Sequence, residues 1–175
     1  HMPLLYWLIA KAYFGVRTPR VRVLGSEFAG EVQAVGRSVT HFRKGDRVFG
    51  YCGAHMGACA EYLRMNEAGV LTTKPANMTD EEAASIAYSG LMALSILDKI
   101  RVKAGDRVLI VGASGGIGAA LVQLAQREYG AEVAGVCGAN QLDYVRSLGA
   151  TPVVDYARED FTDRPERYDV ILDVL

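Results

Sequence analysis

Between Val108 and Gln126 the chain reads VLIVGASGGIGAALVQLAQ, and seven of these residues, Gly112-Ala113-Ser114-Gly115-Gly116-Ile117-Gly118, are of types that can do chemistry. Read as Ala113-Ser114-Gly115-Gly116-Ile117-Gly118, they have the spacing of the dinucleotide fingerprint G-x-G-x-x-G, with Ala in the first place. In that reading Gly115 lets the backbone approach a pyrophosphate and Gly118 lets a helix pack closely on a strand. The helix N-terminus offers free N–H groups to the anion. Read as Gly112-Ala113-Ser114-Gly115-Gly116, the same residues match G-x-S-x-G, the strand-to-helix elbow that exposes a nucleophilic serine. A tight turn without a ligand is the third possibility.

The nucleophile reading needs an acid and then a histidine later in the chain. The three histidines, His1, His41 and His55, all precede Ser114, so that reading fails. A short-chain dehydrogenase would carry a Tyr-x-x-x-Lys pair downstream, and none of the nine tyrosines has a lysine four positions on.

The elements around the turn must hold it. From Asp106 onward the pattern is β-α-β-α-β. Strands are expected at 107–111, 132–136, 152–155 and 169–174, and helices at 116–129 and 141–148. The strands are mostly continuous apolar runs, as in a parallel sheet covered on both faces. Upstream the chain is β-rich, with strands expected at 27–35, 46–52 and 60–64. Thr79-Asp80-Glu81-Glu82 is a capping box, Thr79 at the N-cap and Glu82 at N3, before an apolar run from Ala83 to Leu97. The fold class is therefore α/β, with 1–87 and 88–175 as two domains.

Which nucleotide would the turn hold? An acidic residue at the end of the second strand would bind the adenosine ribose of NAD. Here that strand ends Val136-Cys137-Gly138-Ala139-Asn140, without a carboxylate. The space favours NADP(H) over NAD(H), although no Arg or Lys stands at this tip.

The 175 residues are half hydrophobic with a net charge of −1, an ordinary globular composition. Near-neutral charge argues against nucleic acid or an anionic membrane as partner. The basic residues Arg17, Arg20 and Arg22 read as a solvated loop. His1-Met2 reads as a cloning remnant, and 3–10 as a buried or interface helix, short of the roughly 20 apolar residues that span a bilayer. Cys52, Cys59 and Cys137 form no disulfide framework, which fits a reducing cytoplasm.

Several stretches together resemble the zinc-independent quinone oxidoreductase branch of the medium-chain dehydrogenase/reductase superfamily. They are LGSEFAGEVQAVG, FRKGDRVFGY, LTTKPANMTDEEAASIAYSGLMAL, VKAGDRVLIVGASGGIGAALVQLA and SLGATPVVDYAREDF. The resemblance implies a partial GroES-like β-rich substrate domain followed by a partial Rossmann domain. It implies hydride transfer from NADPH to a quinone, activated alkene or carbonyl of small size. Ser114 to Ile117 would bind the pyrophosphate, Cys137, Gly138 and Asn140 would surround the adenosine ribose, and Tyr156 would lie beside the adenosine phosphate. A surface tyrosine after a strand is the other reading of Tyr156.

Where zinc-dependent relatives have a histidine ligand this chain has Ser26, and where they have a cysteine it has Tyr88, so no metal is expected. Cys52, His55 and Cys59 are ligand types, but only three. Met92 in GLMA replaces the threonine that the family places near the nicotinamide amide. Family members are nearly twice this length, so a truncated, non-catalytic cofactor-binding fragment or interaction module is the alternative to an active enzyme. A free edge at 170–174 would favour a homo-oligomer.

Overall fold

The computed structural model describes residues 22–175, together with Lys11 and Gly15. The helix expected at 3–10, and Arg17 and Arg20, lie outside the described residues. The chain divides into two compact units, His1–Ala87 and Tyr88–Leu175.

The first unit holds an antiparallel sheet of β1 (Glu27–Glu31), β2 (Arg47–Tyr51) and β3 (Val70–Thr73), with β2 in the middle. Val48, Gly50 and Cys52 carry its buried side, the alternation of a half-buried strand. Gly50 is needed where β2 meets β3: a Cβ there would overlap the Val70 carbonyl oxygen and stand 2.9 Å from the Leu71 Cα. The strand expected to run to Val35 ends as a ladder at Glu31. Only Val32 continues the pairing, exchanging backbone bonds with Gly45 and Asp46 (2.8 and 2.9 Å).

The strand expected at 60–64 is not formed. Ala58 and Cys59 instead donate to Gly25 and Leu24 (3.0 and 2.8 Å), and Tyr62 is left 76% exposed. β3 was not expected from the sequence.

Helix α1 (Asp80–Ile100) runs through the boundary between the units. Its start is the capping box: the Thr79 N–H donates to Glu82 Oε2 (2.8 Å) and the Glu82 N–H donates to Thr79 Oγ1 (3.2 Å). Asp80 in the first turn is paired with Arg47, and its other oxygen lies 3.6 Å from Lys74 Nζ. By length and composition α1 could cross a membrane. Its Ala93 and Leu97 side chains, however, are fully buried in the core of the second unit.

That unit is a parallel sheet ordered β6-β5-β4-β7, from β4 (Arg107–Val111), β5 (Glu132–Cys137), β6 (Val153–Asp155) and β7 (Val170–Asp173). Helices α2 (Gly116–Arg127) and α3 (Leu142–Ser147) are the first two crossovers. The order reverses between β4 and β7, which is the switch point of a doubly wound sheet. Both faces are covered. Val108 and Ile110 of β4 pack with Leu97, Leu121 and Val122, while Leu109 and Val111 pack with Val136, Val154 and Phe161. This is the reason the strand sequences are apolar without alternation. The architecture is the partial GroES-like sheet and partial Rossmann sheet that the sequence implied.

Candidate functional site

At the end of β4 the chain turns at Gly112, whose φ of +81° excludes most side chains. A Cβ there would also come within 3.1 Å of Leu175. The Gly112 and Ala113 N–H groups both donate to the Val136 carbonyl (3.1 and 3.0 Å), tying the turn to β5. Gly115 N–H donates back to Gly112 O (3.0 Å), and α2 begins at the next residue.

Gly118 is the tight contact. A Cβ on it would overlap the Gly112 carbonyl oxygen and lie 2.9 Å from Ala113 Cα, so only glycine lets α2 sit this close to β4. Gly115 and Gly116 are different. A Cβ on Gly115 would meet only Gly112 O at 3.4 Å, and one on Gly116 only Ser89 Cβ at 3.6 Å. The chain's own packing does not demand glycine at these two positions, whereas an anion held against the backbone would.

The N-cap of α2 is Gly115, which has no side chain to cap the helix. Helical geometry leaves the N–H groups of Gly116, Ile117 and Gly118 without intrahelical acceptors. A helix start open on one side and carrying partial positive charge fits a phosphate group.

Beside the turn, where β4, β5 and β6 end, lies a cavity of about 480 Å³. Ser114, Cys137, Gly138, Asn140 and Tyr156 line it, with Gly112, Gln141, Phe161 and Leu175 among the other walls. Five of the nine residues expected to bind cofactor therefore meet at one cavity. The other four are in the adjoining turn and helix start. Of these, Ala113 is wholly buried and its N–H donates to Val136 O. Ile117 packs its side chain on the core and can offer only its N–H. Gly112, one position before the Ala113 that the fingerprint spacing put first, is the residue of this turn with a left-handed backbone.

Tyr156 is 62% exposed, its N–H donates to Cys137 O (3.3 Å), and its hydroxyl stands 3.3 Å from where a Gly138 Cβ would be. Cys137 is 2% exposed, and burial followed by the charge of Asp155 pushes its thiol above the ordinary range, with Arg146 opposing. Cys137 forms part of the cavity wall.

Sequence reasoning passed over Gly135, in the middle of β5. A Cβ there would lie 2.8 Å from Val145 Cγ1 and 3.1 Å from Ala113 Cβ, so this glycine seats the buried turn. A glycine inside an apolar strand was the available signal.

Cys52, His55 and Cys59 do not converge. The Cys52 thiol faces the carbonyl oxygens of Ser26 (3.2 Å) and Met56 (3.5 Å), and Cys59 lies over Gly25. Among the described residues, no three His, Cys, Asp or Glu side chains group in a way that could hold a metal.

Known proteins share this sequence pattern and fold. Residues 6–76 match the alcohol dehydrogenase GroES-like domain. Over 164 residues the chain is 33% identical to the 2-methylene-furan-3-one reductase of Solanum lycopersicum, covering 89% of this chain and 42% of that protein. It is 33% identical to the chloroplastic NADPH-dependent alkenal/one oxidoreductase of Arabidopsis thaliana, covering 90% of this chain and 43% of the relative. The quinone oxidoreductase structure from Coxiella burnetii superposes with a TM-score of 0.85 at 30% identity, covering 95% of this chain and 52% of that one. The chain thus spans about half the length of the relatives it matches.

Proposed function

The chain belongs to the medium-chain dehydrogenase/reductase superfamily, among its quinone oxidoreductase-like members, and from this we propose that it binds NADP(H) for reduction of a small quinone, activated alkene or carbonyl compound. The observation that carries this reading is the glycine turn at 112–118. It opens α2 beside a cavity walled by Cys137, Gly138, Asn140 and Tyr156.

When bound, the cofactor supplies the hydride. The chain's own residues bind and orient it. The N–H groups at the start of α2 hold the pyrophosphate, Gly115 and Gly116 admit it, and Gly138 and Asn140 border the ribose. Tyr156 forms the outer wall. Residues 88–175 serve the cofactor and 1–87 the substrate.

A preference for NADP(H) over NAD(H) is supported by the end of β5, where Gly138, Ala139, Asn140 and Gln141 follow the strand without a carboxylate to repel a 2′-phosphate. It is also supported by the name of the NADPH-dependent relative. A zinc-independent reaction is supported by Ser26 and Tyr88 at the positions of the family's zinc ligands. Met92 on α1 is half-buried and has no hydroxyl to offer a carboxamide. Cytoplasmic location and self-association at the β7 edge complete the proposal. Support for the first is the free state of Cys52, Cys59 and Cys137, and for the second the exposure of Ile171 on β7 (62%).

The test is fluorescence titration with NADPH and with NADH, followed by turnover of a benzoquinone measured at the nicotinamide absorbance. Micromolar saturation by NADPH, roughly tenfold or more tighter than by NADH, is the expected result. Absence of saturation would sink the cofactor reading. Saturation without turnover would confine the chain to cofactor binding.

A further inference from the structure

Asp155 closes β6 at 7% exposure, and no other polar or charged side chain among the described residues is buried to that degree. Burying a carboxylate is costly unless its oxygens are engaged. Oδ1 accepts the Ala157 N–H at 3.0 Å. Oδ2 has no hydrogen-bond partner and faces Arg158 Nε at 3.5 Å. The Asp155 carbonyl accepts the N–H groups of Arg158 and Glu159, each at 3.1 Å.

All these contacts converge on one turn, and the residue this turn carries is Tyr156. Its backbone is held from the other side by Cys137 O, and Cys137 is the register partner of Asp155 across β5 and β6. Tyr156 itself is mostly exposed, so its ring gains little from the fold in return for such anchoring. What the anchoring does achieve is to hold the phenol against Gly138, as a wall of the cavity.

We infer that Asp155 is a positioning residue for the nucleotide cavity, acting through the turn that sets Tyr156 against Gly138. This rests on the cofactor reading above for the identity of the ligand, but the coupling of Asp155 to Tyr156 is a property of the chain alone. Asparagine at 155 keeps an oxygen for the Ala157 N–H, alanine removes it, and glutamate keeps the charge but displaces the acceptor by one methylene.

The experiment uses the full 175-residue chain and adenosine 2′,5′-bisphosphate as probe, with affinity read by calorimetry and the Tyr156 ring followed by NMR of ¹³C-labelled tyrosine. D155A is expected to weaken binding roughly tenfold, as Y156A does, the scale of a lost aromatic contact to a base or sugar. The D155A/Y156A double variant should lose no more than either single one, because both remove the same wall. D155N should stay within about threefold of the parent. Where D155A does not fold, D155E should show the same loss.

In the ligand-free chain the Tyr156 ring resonances should shift in D155A or D155E and hold in D155N. Unchanged ring resonances in D155A or D155E, or additive losses in the double variant, would overturn the role of Asp155. Failure of the parent chain to bind the bisphosphate would overturn the nucleotide reading instead, and the ring resonances would then judge the Asp155–Tyr156 coupling by themselves.

Discussion

Gly118 and Gly115 carry the same letter for different reasons. At Gly118 the chain itself has no room, since a methyl group would collide with the Gly112 carbonyl and the Ala113 Cα. At Gly115 it has room, and the proposed function gives the reason for glycine there to a bound pyrophosphate. Gly118→Ala is therefore expected to destabilise the fold by about 2 kcal/mol or more, as overpacking does, with a lower urea midpoint as the measure. Gly115→Ala should leave that midpoint nearly unchanged while weakening NADPH binding. The fingerprint spacing was readable from the sequence, and its Ser114 meets at the cavity with Cys137, Gly138, Asn140 and Tyr156, which the family resemblance had supplied. The handedness of the backbone at Gly112 was not. A residue's φ depends on where the next element packs, and Gly112 is held by bonds to Val136, well downstream in the chain.

At the level of elements, local hydrogen-bond chemistry separates what the sequence foretold from what it missed. The capping box of α1 was readable because Thr79 and Glu82 satisfy N–H groups three residues apart, and both bonds are present. Thr79→Ala should cost about 1 kcal/mol, read as a drop in helix and global stability by circular dichroism. Strands of the first unit were harder. Residues 60–64 read as a short run bounded by turn residues, yet their neighbours at 58–59 are bonded to 24–25 in a bent arrangement that leaves no ladder. Val70–Thr73 has a weak pattern, with only Leu71 half-buried, and becomes β3 because β2 offers it an edge. A strand is made by its partner, and the partner lies elsewhere in the sequence.

Over the whole molecule, charge placement sets how the two units respond to pH. Asp80 is held below the ordinary carboxylate range by its bond to Arg47, Glu67 by the backbone N–H groups of His41 and Thr40, and Asp160 by the Thr162 hydroxyl and N–H. Groups with depressed folded values stabilise the chain above their unfolded values, and that stability is lost as pH falls through the folded ones. Cys137 and Tyr129 are raised, Cys137 chiefly by burial and Tyr129 chiefly by its bond to Asp98. Their contribution is complete below the unfolded values and is lost as pH rises toward the folded ones. Urea midpoints should thus be flat near neutrality and fall on both sides. Asp80→Asn should flatten the acid limb, and Cys137→Ala part of the alkaline one.

From the sequence alone came the local devices: the glycine turn between a strand and a helix, the capping box, the apolar strands of a covered parallel sheet, and the lack of a carboxylate after Cys137. Each depends on residues within a few positions of one another, so their types and spacing are enough to show them. The tertiary structure decided which of those residues share a cavity. Ser114, Cys137 and Tyr156 come from the ends of three different strands, and only the parallel register of β4, β5 and β6 brings those ends together. It also decided that Asp155, which reads in sequence as a charge closing a strand, is buried and holds the turn beneath Tyr156. Burial is fixed by what packs around a residue, and a linear pattern does not contain that.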